Sequence, residues 1–260
     1  MLMTILLAFY LVPGSAQEMG APAMDIKNIH GKYARTQVLS LADFRNKVIG
    51  LIYDEKTKAT CTGVLIGPRH VLTAAHCVYN FKTKEWSEGL LFTAGKLSKN
   101  DPGLGSSTYQ RFFIQKEYIE TMKEEFDFAL VELEENLGDK IGWAGFRSLT
   151  KEEMVEGKTA PITFAGYPGD KEFGTQWSVT CPGVVAGNLL SYFCDSYGGM
   201  SGSALFRQND SQNYVIGVHT FGGPEKNGGV YINSKNYTLI NAWKNFDRYS
   251  DNTVVHSFAK

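Results

Sequence analysis

The stretch of this chain best equipped for chemistry is Asp195-Ser196-Tyr197-Gly198-Gly199-Met200-Ser201-Gly202-Ser203, where glycines surround Ser201 on both sides. Glycine permits positive φ and leaves no side chain in the way of a substrate. A turn of that kind can present a hydroxyl to a cleft and aim backbone N–H groups at a developing oxyanion. A serine hydroxyl is a weak nucleophile on its own; it needs a base, and the base needs an orienting partner. Upstream, His76 ends the short apolar run Val71-Leu72-Thr73-Ala74-Ala75, just before Cys77. Asp127 is a charge embedded in the buried-looking run Phe126–Leu133. Taken singly, these residues read as a core histidine, a capped turn and a loop hydroxyl. Taken together they supply base, orienting carboxylate and nucleophile, the set required for acyl transfer through a covalent intermediate.

The elements that must carry these groups read as β. Runs at Lys47–Tyr53, Cys61–Ile66, His70–Ala74, Phe126–Leu133, Pro161–Tyr167, Tyr214–His219 and Gly229–Ile232 are β-branched or aromatic and are separated by Gly, Asn, Asp or Pro. The exception is Tyr237–Asp247, where Leu239, Ile240, Trp243 and Phe246 recur at helical spacing. Many short strands closed by turns imply barrels or sandwiches. A chain of 260 residues, 43% hydrophobic and 20% charged, is ordinary for a globular protein of one large or two small domains. The net charge of −1 gives no electrostatic case for nucleic acid or an anionic membrane surface. There is no internal repeat and no low-complexity tract.

Three blocks, TAAHC at 73–77, DFALVEL at 127–133 and GGMSGS at 198–203, resemble the signature blocks of chymotrypsin-fold serine peptidases, in the same order. Their spacing fits too, with 51 residues from His76 to Asp127 and 74 from Asp127 to Ser201. The resemblance covers roughly residues 28–248, and within the fold it is to the bacterial glutamyl endopeptidases, the V8-like branch. It implies an all-β fold of two six-stranded antiparallel barrels with a short C-terminal helix: barrels over 28–145 and 146–235, the helix over 236–248. The crossover is expected in the less apolar segment Asn136–Lys158. It also implies roles. Ser201 attacks the scissile carbonyl, His76 transfers the proton, Asp127 holds the imidazole, and the N–H groups of Gly199 and Ser201 bind the oxyanion. Neither cofactor nor metal is required; there is no Cys-x-x-Cys pair and the five histidines are scattered. An inactive, polypeptide-binding member of the fold is the other class of reading. Such proteins typically lose a triad residue, and this chain keeps all three. Polypeptide substrates and a monomer are the expectation. The residue before the nucleophile is Met200, where digestive members of the fold carry an aspartate that pairs with the new N-terminus, so that mode of activation is expected to be absent.

Residues 1–16 read as a signal peptide: Leu2–Val12 is apolar but too short to span a bilayer, and Gly14-Ser15-Ala16 supplies small residues for cleavage, although no Lys or Arg precedes them. Residues 17–27 read as a short propeptide, with the mature chain beginning near Asn28, because Asn28-Ile29-His30-Gly31 resembles mature starts in the family. Export places the cysteines in an oxidising compartment and the protein outside the membrane, secreted or periplasmic. The resemblance pairs Cys61 with Cys77. For Cys181 and Cys194 geometry suffices: a hairpin folded at Gly187-Asn188 places them directly opposite each other.

Substrate preference is divided. Asp195, six residues before Ser201, occupies the register of the carboxylate at the base of trypsin's pocket, which would favour Arg or Lys. His219, in the context Val218-His219-Thr220-Phe221-Gly222, and Ser196, five residues before Ser201, match positions that bind the substrate carboxylate in glutamyl endopeptidases. An imidazole at 219 would crowd a long cationic side chain, while Asp195 has the alternative of bonding nearby backbone N–H groups. The resemblance therefore favours Glu, or Asp, at P1, with a histidine at least partly protonated beside the anion. It also places the mature amino group near that site, and it has residues 220–222 pair with the substrate backbone as an added strand.

Overall fold

The computed structural model describes residues 29–150, 153, 159–207, 214–245 and 252–258. The expected signal peptide, the expected propeptide and Asn28 lie outside the described residues. The fold is all-β with short helices. The strands of the first half are β1 (Thr36–Gln37), β2 (Ile49–Asp54), β3 (Thr60–Leu65), β4 (His70–Thr73), β5 (Tyr79–Asn80), β6 (Glu85–Trp86), β7 (Leu90–Ala94), β8 (Gly105–Ser107), β9 (Tyr109–Gln115) and β10 (Ala129–Leu133). Those of the second half are β11 (Ala160–Gly166), β12 (Trp177–Ala186), β13 (Leu189–Tyr192), β14 (Ala204–Arg207), β15 (Val215–Gly222) and β16 (Asn227–Tyr231). Helices α1 (Phe44–Val48), α2 (Lys116–Thr121) and α3 (Leu137–Ile141) are single turns or little more; α4 (Ser234–Asn245) is the one longer helix, and β17 (Thr253–Ser257) follows it.

Two large antiparallel sheets organise most of these strands, and β5 pairs with β6 separately. The first runs β17-β9-β10-β4-β3-β2-β7-β8, a half-barrel in which β8, at one end, continues through Thr108 straight into β9, next to the other end. The second runs β12-β11-β14-β15-β16-β13 and closes through β12–β13 pairing, with β1 added at the edge of β12. The chain passes between them at residues 144–147. Ala144 N–H donates to Leu65 O, while Gly145 O accepts from Val215 N–H and Arg147 N–H donates to Val215 O.

Alternation explains why these runs are strands. In β12 the burial pattern alternates over Val179–Gly183, placing Val179 and Cys181 inside with Phe164, Leu190 and Tyr192. Strands β2, β3 and β10 are buried almost throughout because the curled sheet and its coverings bury both faces. Helix α4 packs back on the first sheet, where fully buried Trp243 lies 5.4 Å from Phe128 and donates through Nε1 to Thr253 Oγ1. Burying a side chain of that size contributes about 1.5–3 kcal/mol. Strand β17 lies beyond the expected end of the fold. Its Thr-Val-Val-His-Ser run takes the free edge of β9, and His256 stacks on Trp86 at 4.7 Å.

Both disulfides are formed, Cys61–Cys77 and Cys181–Cys194. The second ties the β12–β13 hairpin, whose turn is Gly187-Asn188; Gly187 adopts φ +61°, a conformation that favours glycine. Each cross-link stabilises by about 2–4 kcal/mol if loop entropy dominates.

Candidate active site

His76 and Asp127 meet in the first sheet. His76 sits in the one-turn 3-10 helix Ala75–Cys77 that ends β4, and Asp127 sits in the turn that opens β10, the neighbour of β4. Asp127 is buried, and its two oxygens divide the work. Oδ1 accepts from His76 N–H at 3.0 Å, and Oδ2 lies 2.7 Å from His76 Nδ1. Since a carboxylate only accepts, Nδ1 carries the hydrogen and Nε2 is left as the base. Burial alone would lower the imidazole pKa, but the charge of Asp127 and its hydrogen bond outweigh burial and leave His76 above the ordinary histidine value.

Ser201 comes from the second barrel and is pinned to the first. Its carbonyl accepts from Thr62 N–H at 2.8 Å and lies 3.7 Å from Cys77 Sγ, next to the histidine. Thr62 is the hub. Its hydroxyl donates to Gly199 O at 2.8 Å and accepts from Tyr167 N–H, and its own carbonyl accepts from Thr73 Oγ1. A Cβ on Gly202, which has φ +87°, would lie 2.0 Å from Thr62 O, so only glycine lets the two barrels approach this closely. Sequence reasoning missed Thr62. The one available signal was a hydroxyl in an otherwise apolar strand next to Cys61.

The turn leaves alternate amides free. The N–H groups of Met200, Gly202 and Ser203 donate to Tyr197 O, His219 O and Met200 O. Among the described residues, those of Gly199 and Ser201 have no protein acceptor. Gly199 reaches this geometry at φ +99°. Met200 is fully buried in the apolar core of the second barrel, against residues such as Val179 and Cys194. Beyond the serine, β15 pairs with β14 only as far as Val218, so Thr220 to Gly222 keep an open edge on that side.

Near the expected specificity pocket, Asp195 is bonded to the segment that begins at His30. Its Oδ1 accepts from His30 N–H at 2.7 Å and Gly31 N–H at 2.8 Å, and its own N–H donates to Tyr33 O at 3.0 Å. Residues 30–38 form a strap across the second barrel. Tyr33 bridges Cys194, Arg35 pairs bidentately with Asp170, Thr36 and Gln37 pair with Ser178 and Trp177, and Val38 N–H donates to Gln176 O. His219 is 3% exposed, with Nδ1 2.6 Å from Tyr192 Oη and 3.0 Å from Gly228 O. Burial pulls its pKa down to about 4, so the unliganded histidine is neutral, and the expected protonation would have to come with the anion. Among the described residues, the buried hydroxyls of Ser196 and Thr220 have no partner. Thr220 follows His219 on β15, β16 beside it holds Asn227, and Asn227 Nδ2 donates to Cys194 O, two residues before Ser196.

Among the described residues, the His, Cys, Asp and Glu side chains close enough to share a metal are Cys61, His76 and Cys77. Two of these are joined as a disulfide, which has no thiolate to offer, so the set does not fit a metal.

The sequence profile of the trypsin family matches residues 44–240. A glutamyl endopeptidase of Bacillus licheniformis is 32% identical over 229 residues, spanning 85% of this chain and 70% of that protein. A Bacillus subtilis protein named extracellular metalloprotease is 31% identical over 234 residues, 88% of this chain and 73% of its own length. Among solved structures, a Glu endopeptidase in complex with MPD is 29% identical with a TM-score of 0.74, covering 83% of this chain and 98% of the other.

Proposed function

This chain belongs to the trypsin family and is a serine endopeptidase acting on polypeptides, and on that premise we propose that it cuts after glutamate with His76, Asp127 and Ser201 as its catalytic triad. Ser201 Oγ attacks the scissile carbonyl as His76 Nε2 takes its proton. Asp127 holds the ring through Nδ1–H and stabilises the imidazolium, which then protonates the leaving amine. The N–H groups of Gly199 and Ser201, without an acceptor among the described residues, receive the oxyanion. Water releases the acyl group by the same route in reverse. The open edge at Thr220 to Gly222 pairs with the substrate backbone as an added strand.

One observation carries the glutamate preference: hydrogen-bond donors are buried beside the expected pocket, and the nearby carboxylate of Asp195 already accepts two backbone N–H bonds. His219, Ser196 and Thr220 are buried, while Oδ1 of Asp195 is held by the backbone of the strap. A substrate Arg or Lys would have to compete with the His30 and Gly31 N–H groups for Asp195, whereas a carboxylate would find hydrogen-bond donors. The two disulfides and the apolar leader support export as the route to the substrate.

His219→Ala tests the reading. Cleavage after Glu should collapse while Ser201 still reacts with a small fluorophosphonate. Undiminished Glu cleavage would refute the pocket assignment, and wild-type protein that takes no label at Ser201 would refute the catalytic one.

A further inference from the structure

A neutral imidazole offers one donor and one acceptor, so it can greet a carboxylate only from the nitrogen that carries the hydrogen. The surroundings of His219 choose between its nitrogens. The ring is stacked on Phe164 at 5.2 Å, which fixes its plane, and Nδ1 faces two oxygens with different abilities. Gly228 O, at 3.0 Å, can only accept. Tyr192 Oη, at 2.6 Å, can donate. Tyr192 is itself 1% exposed, and among the described residues His219 is the only hydrogen-bond partner of its hydroxyl.

Consider the hydrogen on Nδ1. It would be divided between two acceptors, and the phenolic hydrogen of Tyr192 would be buried with nothing to receive it. Place it instead on Nε2. Tyr192 then donates to Nδ1 along the shorter contact, and the loss falls on Gly228 O, an under-satisfied carbonyl being the better tolerated defect. Burial also raises Tyr192 well above the ordinary tyrosine value, so its hydrogen is retained.

We propose that Tyr192 is the positioning residue for the specificity histidine: by donating to His219 Nδ1 it fixes the Nε2–H tautomer, so that the enzyme meets the substrate carboxylate with a neutral hydrogen-bond donor. This rests on the reading of His219 as the partner of the P1 carboxylate. Electrostatic attraction is then not what selects glutamate in the free enzyme; the orientation of one hydrogen is. Without the phenol, Nδ1–H turns to Gly228 O and a bare Nε2 lone pair faces the anion. A glutamine side chain can turn its NH₂ to that lone pair, whereas a glutamate has no hydrogen to offer.

Two measurements test this. In protein carrying ¹⁵N-histidine at neutral pH, with His219 assigned by the signal lost in His219→Asn, Nδ1 should resonate as an unprotonated, pyridine-like nitrogen and Nε2 as a protonated one. In Tyr192→Phe the two should exchange, and kcat/KM for a P1-Glu peptide should fall by about 10–100-fold, mainly through KM, on losing a hydrogen bond to a charged group. The matched P1-Gln peptide should change by no more than a few-fold, and fluorophosphonate labelling of Ser201 should be unaffected. A protonated Nδ1 in the wild type overturns the inference, with no variant needed. So does an unchanged Glu-to-Gln ratio in Tyr192→Phe. If His219→Ala also leaves that ratio unchanged, the pocket reading falls with it; if His219→Ala collapses it and Tyr192→Phe does not, only the role of Tyr192 falls.

Discussion

Truncating Asp195 separates its two possible roles. Its carboxylate accepts from His30 and Gly31 N–H at 2.7 and 2.8 Å. Hydrogen bonds to a charged acceptor are worth about 1.5–3 kcal/mol each. Asp195→Ala removes two, about 3–6 kcal/mol gross, but the freed amides lie near the surface and regain water, so a net local loss of about 2–3 kcal/mol is reasonable. At about 1.36 kcal/mol per tenfold, amide exchange at His30 and Gly31 should quicken by about 10²-fold. The rest of the strap keeps the Arg35–Asp170 pair and the β1–β12 pairing, so amides from Val38 onward should change little. Asp195→Asn retains an accepting oxygen without the charge, and neutral bonds of about 0.5–1.5 kcal/mol each should limit the change to about tenfold. Hydrogen exchange read by mass spectrometry gives the first quantity; rates on P1-Glu and P1-Arg peptides give the second. Glu cleavage should survive Asp195→Asn within a few-fold. Unchanged protection of His30 and Gly31 in Asp195→Ala, or a P1-Arg activity that Asp195→Asn abolishes, would refute the strap assignment.

Other expectations follow from the same geometry. Because Asp127 holds His76 above the ordinary histidine value and the base must be neutral, the acid limb of kcat/KM should inflect above about 6.5; Asp127→Asn should move that inflection down and cost about 10⁴ in rate, seen in a pH–rate profile. Gly202→Ala would place its Cβ 2.0 Å from Thr62 O and 2.2 Å from Thr73 Oγ1, so it should abolish activity and destabilise by more than about 3 kcal/mol in urea unfolding. His219 has a folded pKa of about 4, below its unfolded value, so the unfolded state binds the extra proton. Stability should therefore fall as pH drops from about 6.5 to about 4, by about 3 kcal/mol from this residue, and His219→Asn should flatten that decline in unfolding curves taken at both ends.

Local chemistry made much of this legible in the sequence. The glycine-bounded serine, the histidine beside a cysteine and the aspartate heading an apolar strand each required a particular neighbourhood, and the chain displays those neighbourhoods as short contiguous blocks. The Cys181–Cys194 hairpin could be read because its register follows from one turn at Gly187-Asn188. Helix α4 showed itself through Ile240 and Trp243, although Phe246 lies outside the described residues. The rest depends on partners far away along the chain. The destination of Asp195 is His30 and Gly31, about 165 residues upstream, and no local pattern signals it. Thr62 looks like any strand threonine until Gly199, 137 residues on, folds against it. Strand β9, Tyr-Gln-Arg-Phe-Phe-Ile-Gln, breaks simple alternation because both of its faces are covered, Phe112 by Trp86 and Phe113 by Trp243, each distant in sequence.

The central claim is a serine endopeptidase whose pocket selects a carboxylate, and one ratio tests it most directly. Protein trimmed to begin near Asn28 would be assayed on two peptides identical except for Glu or Arg at P1. A site built from buried donors should favour Glu by at least about 10²-fold in kcat/KM. A preference for Arg would put the charge of Asp195 in the pocket after all and contradict the account.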